Sequence, residues 1–108
     1  MSIGIILTLV WIHFVADFIL QTDWMAKNKG GSNVALGIHV VLYSIPFLWF
    51  GWVYAIVNGI LHFITNYVSS RATTHYWKTE QRHLFFVVIG ADQAAHMTAL
   101  FLTYMWLF

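Results

Sequence analysis

The sequence predicts an all-α protein, a membrane-embedded antiparallel four-helix bundle. Hydrophobic residues make up 60% of the 108 positions and charged residues 8%, whereas soluble domains average roughly 45–50% and about 25%. Aromatic residues add up to 19%, which in a soluble protein would leave large apolar patches exposed. A spanning helix takes about 20 residues. Four such helices fill the chain, so a single transmembrane domain over residues 1–108 is expected.

The first apolar segment covers about residues 3–25 and ends at a polar turn that contains two glycines. It lacks the basic start of a signal peptide, and it carries His13 and Asp17. We therefore expect it to be retained as a helix.

Three further apolar segments follow, at about residues 34–50, 52–69 and 84–108. Gly51 is the expected break between the second and third segments, and residues 70–83 form the longest polar stretch, expected as a loop. The pattern H-F-(V/I)-x-(D/N)-(F/Y) occurs at residues 13–18 and again at 62–67. This similarity is compatible with two related helical hairpins.

The basic residues predict the orientation. All five fall in the first and third connections: Lys27, Lys29, Arg71, Lys78 and Arg82. The positive-inside rule assigns these connections to the cytoplasm, so both termini face outward. The expected location is the bacterial inner membrane, with Trp24 at one face and Trp49, Trp52 and Trp106 at the other.

Ionisable residues inside the predicted spans form a regular pattern. His13 and Asp17, His62 and Asn66, and Asp92 and His96 are each four residues apart, which places both members of a pair on one helix face. The order within the pair is reversed in the last helix, which runs in the opposite direction. This arrangement predicts one layer with His13, His62 and His96 and a second with Asp17, Asn66, Asp92 and His39. Gln93, beside Asp92, is expected on another face, against a neighbouring helix.

Such a cluster suits a divalent metal ion, because zinc accepts histidine nitrogen and aspartate oxygen. Charged groups in a membrane are costly and usually functional. The candidate metal ligands are His13, Asp17, His39, His62, Asn66, Asp92 and His96. Zinc is the first choice, with manganese and iron as alternatives. Seven candidates exceed one tetrahedral zinc, so either two ions bind or some side chains support the others.

The motif from His13 to Lys29, HFVADFILQTDWMAxxK, resembles the opening signature of the domain-of-unknown-function 3307 family. His39, the His62 block and the Asp92-Gln93-x-x-His96 motif fall where that family carries its later motifs. The resemblance implies a small bacterial or phage membrane protein without an assigned activity. The family pattern has Asp where this chain has Asn66, and the lost charge weakens a second metal site there. The pattern is also distantly similar to inner-membrane proteins described as metal-dependent hydrolases.

Three functions fit these observations. The first is a metal-dependent hydrolase that acts on a lipid or a membrane-proximal substrate, with Asp17 or Asp92 as catalytic general base. The second is a metal or proton transporter, or a proton relay, that uses the same cluster. The third is a non-enzymatic phage or bacterial membrane protein that binds a partner and holds a structural metal.

The composition also excludes other classes. The chain has no cysteine, which excludes disulfides and thiolate metal sites. Its few basic residues argue against nucleic-acid binding. The expected partners are membrane lipids, a second copy of the chain in a homo-oligomer, or another membrane protein.

Overall fold

The computed structural model describes residues 1–108 and contains helices and no strand. The five α-helices are α1 (Ile3–Phe14), α2 (Asp23–Asn28), α3 (Asn33–Ser44), α4 (Trp52–Lys78) and α5 (Arg82–Leu107). A π-helical turn, Val15–Ile19, extends α1, and a 3₁₀ segment, Ile45–Phe50, extends α3. The predicted all-α fold class is confirmed.

The predicted first helix, 3–25, is wrong at its C-terminal end. The π turn stops at Ile19, and Thr22 is the N-cap of the separate helix α2. The Thr22 hydroxyl oxygen accepts a hydrogen bond from the Met25 backbone N–H at 3.3 Å, as is typical of threonine at this position. The sequence interrupts the apolar run here with Gln21, Thr22 and Asp23, but the prediction of four helices continued the first helix through these polar residues.

The polar loop predicted at 70–83 is wrong as well, because α4 continues to Lys78. The hydroxyls of Thr73 and Thr74 donate to the backbone oxygen of Ser70 at 3.0 and 2.8 Å. Arg71 lies over the ring of Tyr67. These side chains find partners on their own helix, so a polar composition does not end it.

Gly51 separates α3 and its extension from α4, as predicted. Its φ of 108° lies in the left-handed region, which glycine adopts without a steric penalty. The observed bounds of α3 with its extension differ from the prediction by one residue, and α5 begins two residues before position 84.

Neighbouring long helices run antiparallel. The Tyr54 hydroxyl at the start of α4 donates to the backbone oxygen of Leu100 late in α5, at 2.7 Å. The hydrophobic core consists of Leu9, Ala16, Tyr43, Phe47, Tyr54, Ala55 and Leu100. Most of it fills the end of the molecule where α4 begins and α5 ends, and the polar cluster lies beyond it.

The outer surface is strongly apolar. Trp49 is 84% exposed and Trp106 76%, and isoleucine and valine side chains are exposed along the helices. Two segments, Asn33–Phe50 and Arg82–Leu107, are long and apolar enough to cross a membrane by length and composition, and the apolar stretch Ile3–Ile19 is shorter. Exposed apolar area of this extent indicates contact with lipid or with another protein.

The close approach of α3 to α4 at Gly59 gives a prediction. A Cβ at this position would lie 2.5 Å from the Ser44 hydroxyl oxygen, so Gly59→Val overpacks the contact. We expect it to lower the free energy of unfolding by about 1–3 kcal/mol, measured by thermal unfolding of the purified protein. Gly37→Val is the matched control, since a Cβ there has no neighbour within 4 Å. Equal unfolding midpoints for the two variants would contradict the observed packing.

Candidate metal centre

The structure brings the seven predicted site residues together in the interior. None of the seven is more than 8% exposed: His13, Asp17, His39, His62, Asn66, Asp92 and His96. They come from α1 and its π turn, α3, α4 and α5. The spacing of the residues therefore correctly predicted that these seven side chains come together. That each of them is a metal ligand stays a prediction.

Three donor atoms from three elements lie in one tight group. Asp17 Oδ1 is 3.1 Å from His39 Nε2 and 3.6 Å from His62 Nε2. The two imidazole nitrogens are 3.0 Å apart. A tetrahedral zinc ion with bonds of about 2.0–2.1 Å holds its ligand atoms about 3.3 Å apart. The spacing of these three atoms matches one face of such a tetrahedron.

A π turn presents Asp17 to this group. Within it the Leu20 backbone N–H bonds to the oxygen of Val15, five residues earlier. Single π turns occur frequently at functional sites. Asp17 lies in the middle of this turn and is 4% exposed.

Asp92 and His96 form a second group beside the first. His96 Nε2 is 3.0 Å from Asp92 Oδ2, and the amide of Asn66 donates to Asp92 Oδ1 at 3.1 Å. The imidazole of His96 stacks on that of His62 with ring centroids 4.0 Å apart. Asp17, His62 and His96 each offer a ligand atom, and these atoms lie within 4.8 Å of one another.

Two residues outside the predicted set complete the site. The Gln93 amide nitrogen donates to Asp17 Oδ2 at 3.0 Å and contacts Asp92 Oδ2 at 3.3 Å. Gln93 does contact a neighbouring helix, as expected, but inside the cluster and between its two carboxylates. Ser69 donates its hydroxyl proton to Asp92 Oδ1 at 2.6 Å; it lies three residues after Asn66, and this spacing was the signal that could have identified it.

His13 is held by two hydrogen bonds that define its role. Gln93 Oε1, 2.7 Å from His13 Nε2, can only accept, so His13 donates through this nitrogen. A neutral imidazole then accepts at Nδ1, where the Tyr43 hydroxyl lies 3.0 Å away. Tyr43 also stacks on His62, with ring centroids 3.9 Å apart. Both nitrogens of His13 are therefore occupied within the protein.

Other polar atoms of the cluster have no partner. His39 Nδ1, His62 Nδ1 and Asn66 Oδ1 are buried without a hydrogen bond. Leaving such an atom unsatisfied costs about 1–3 kcal/mol. Native proteins contain few atoms of this kind, and an ion on the Nε2 side of His39 and His62 would leave both Nδ1 atoms without a partner.

A cavity of about 520 Å³ borders the carboxylate side of the cluster. Its inner wall includes Asp17, Asn66 and Asp92. It reaches the surface between α2, the C-terminal turns of α4 and the start of α5, and three lysines line it: Lys27, Lys29 and Lys78. Burial lowers the pKa of Lys29, and the carboxylates of Asp17 and Asp92 oppose this shift in part.

Fold and site define a class: small all-helical proteins with a buried histidine and aspartate cluster that opens to a basic cavity. Within it, the chain belongs to the family described as "Protein of unknown function (DUF3307)", which it matches over residues 5–108. The expectation from the His13 to Lys29 motif is thus confirmed. Comparison with curated proteins and with solved structures gave no significant match.

The central position of Gln93 gives a prediction for stability. Gln93→Leu removes the partners of His13 Nε2 and Asp17 Oδ2, so we expect the free energy of unfolding to fall by about 1–3 kcal/mol. Thr98→Val, on the exposed side of α5, is the control and should stay within about 0.5 kcal/mol. Thermal or denaturant unfolding measures both. An unchanged Gln93→Leu variant would show that the bridge does not support the cluster.

Proposed function

We propose that this chain is a multi-pass membrane protein that binds a divalent metal ion at Asp17, His39 and His62 and hydrolyses a lipid or membrane-proximal substrate. Zinc is the first choice, and manganese and iron are the alternatives. The observation that carries the proposal is the group of three buried donor atoms with mutual distances of 3.0–3.6 Å.

The length of the first apolar stretch and the distribution of charge both support a membrane location. The stretch Ile3–Ile19 has 17 residues, which corresponds to about 26 Å of helix, close to the hydrocarbon thickness of about 30 Å. The only charged residues in the middle of the molecule are Asp17 and Asp92, and both are buried. All Lys and Arg side chains lie at the end with α2 and the α4–α5 connection. With the positive-inside rule, this end faces the cytoplasm and both termini face outward.

The donor set supports a metal ion over a purely structural network. One carboxylate and two imidazoles are the ligands of many zinc enzymes, in which a fourth position stays open to water or substrate. The cavity touches Asp17, so a ligand entering from the surface can reach this position. His96, whose nearest ring nitrogen belongs to the same compact group, is the candidate for a further ligand.

Asp92 is the candidate general base. It lines the cavity, and its carboxylate is held by Asn66, Ser69 and His96. A bound divalent ion would supply a Lewis acid and polarise the bond to be cleaved. In this proposal the carboxylate of Asp92, which lines the cavity, takes a proton from water there, and His96 orients the carboxylate.

The first test is the metal content of the purified protein. We expect close to one zinc per chain, which is lost in Asp17→Asn and in His39→Ala because both remove a member of the donor group. His13→Ala should keep the metal, since both nitrogens of His13 are already hydrogen-bonded. His83→Ala, an exposed histidine, is the control for non-specific binding. A metal-free, folded wild type purified without chelator would contradict the proposed site.

The second test separates hydrolysis from transport. Asp92→Asn should retain zinc and lose turnover of short-chain phosphate or carboxylate ester lipids by about 10²–10⁴-fold, the usual contribution of a general base. Unchanged turnover would remove Asp92 from the mechanism.

Transport is the second candidate, favoured by the two imidazoles of His39 and His62 that face each other at 3.0 Å. Chains of Asp, Glu and His side chains form proton relays in membrane pumps and transporters. This function predicts zinc or proton flux into liposomes that contain the wild type, and loss of flux in His62→Ala. Bound zinc with neither turnover nor flux would instead indicate a structural metal in a partner-binding protein.

A further inference from the structure

The cavity beside the cluster is lined by cations without matching anions at its mouth. Lys27, Lys29 and Lys78 line it, and its carboxylates are Asp17 and Asp92 at the inner wall. None of the three lysines forms an ion pair, since every ion pair of the structure joins a histidine to an aspartate. The lysine charges are therefore available to a ligand.

Lys29 is the lysine that the fold holds in place. It caps α2, and its backbone oxygen accepts a hydrogen bond from the Ser70 hydroxyl of α4 at 3.3 Å. The next residue, Gly30, lies directly against α4: a Cβ there would collide with Thr74 and come within 2.7 Å of the Ser70 backbone oxygen. The side chain of Lys29 is half-buried and has no hydrogen-bond partner. Partial burial reduces the hydration of this ammonium, as its lowered pKa reflects, and an anion in the cavity would offset that loss.

The hydroxyl groups of the cavity wall have already used their protons. Ser69 donates to Asp92, Ser70 to Lys29, and Thr73 and Thr74 to Ser70. Donors for an incoming anion are therefore the lysines and the amide of Gln21, whose buried Oε1 is unpartnered. The amide nitrogen of Gln21 forms no hydrogen bond within the protein, so it can donate to an anion.

We propose that this cavity binds a phosphate group, with Lys29 as its principal contact, and so presents a phosphate ester to the cluster. This inference rests on the proposed function, since it names the substrate class of the same site. Lysine acts as a compact point charge toward phosphate, and several lysines around one space favour a group with more than one negative charge.

The charges of the site predict that phosphate binding depends on the metal. Without an ion, two carboxylates oppose the three lysines. A divalent cation at Asp17 neutralises both carboxylate charges and supplies a direct attraction for phosphate oxygens. Phosphate affinity should therefore rise when zinc is bound and fall, without vanishing, when it is removed.

The position of the cavity suits a lipid headgroup. Its wall includes Trp77 and Lys78 at the end of α4, beyond the apolar part of the helix. Tryptophan and basic residues are typical of the level of the headgroups. Free phosphate has the same chemistry, so the experiment must separate the two sources.

The test is calorimetric titration of the full-length protein with a non-hydrolysable phosphonate analogue of dihexanoyl phosphatidate, in zinc-loaded and EDTA-treated samples. We expect Lys29→Gln to lower the affinity about ten- to a hundredfold, the range for a charged hydrogen bond, with an unchanged zinc content. Arg71→Gln removes the same charge at the same end of the molecule but outside the cavity, and should change the affinity less than about twofold.

Two further ligands show whether the cavity recognises the phosphate group and whether that group comes from a lipid. Dihexanoylglycerol lacks the phosphate and should bind at least about tenfold more weakly. If inorganic phosphate binds as tightly as the phosphonate lipid, the source is free phosphate; if it binds more weakly, the source is a lipid.

The outcomes are separable from those of the proposed function. The inference is overturned if the wild type does not bind the phosphonate, if Lys29→Gln binds it like the wild type while retaining zinc, or if dihexanoylglycerol binds equally well. A wild type without zinc that still binds the phosphonate through Lys29 would support the phosphate site and remove the metal-dependent function.

Discussion

The burial of the Asp17 carboxylate is the constraint on which the rest of the site depends. An isolated ionised carboxylate in a medium without water is very costly, and no lysine or arginine lies within ion-pair distance of it. Its oxygens instead face Gln93 of α5, His39 of α3 and His62 of α4. One side chain thereby joins four segments of the chain. Most of the apolar core fills one end of the molecule, so these polar contacts contribute much of what holds the helices together elsewhere.

The convergence of the seven residues could be predicted because it needs only helix periodicity and antiparallel order. Residues four apart share a face, and the reversed order in the last helix aligns Asp92 with Asn66. The structure pairs these two residues at 3.1 Å. Gln93 could not be predicted in the same way, because its neighbour Asp92 points along a different direction of the helix. Its long side chain nevertheless reaches into the cluster. Helix periodicity predicts the direction in which a side chain leaves the helix, but not where the end of a long side chain lies.

Two features lie outside what periodicity can show. The π turn at Val15–Ile19 arises from local backbone geometry within an apolar segment, and α2 begins at the polar residues Thr22 and Asp23, which the prediction had placed inside the first helix. The extension of α4 to Lys78 depends on hydroxyls that bond to their own helix, whereas their composition is typical of a loop. Both features shape the cavity. In the sequence Lys29 was a topology signal and the last residue of the family motif, and its half-buried position at the cavity wall required the structure.

Gln93 fixes the orientation of the side chains on either side of it. Its N–H₂ donates to Asp17, and its oxygen accepts from His13. An amide in this position does not pass protons onward, because it would have to adopt an unstable tautomer. The amide therefore carries no protons between His13 and Asp17, whose Nε2 and Oδ2 atoms are 3.7 Å apart, while it fixes both side chains in one orientation. A rigid carboxylate beside two imidazole nitrogens is what a metal ligand set requires. The contacts of Asp17 with His39 and His62 do not pass through Gln93, so a proton path along these three side chains is not interrupted by the amide.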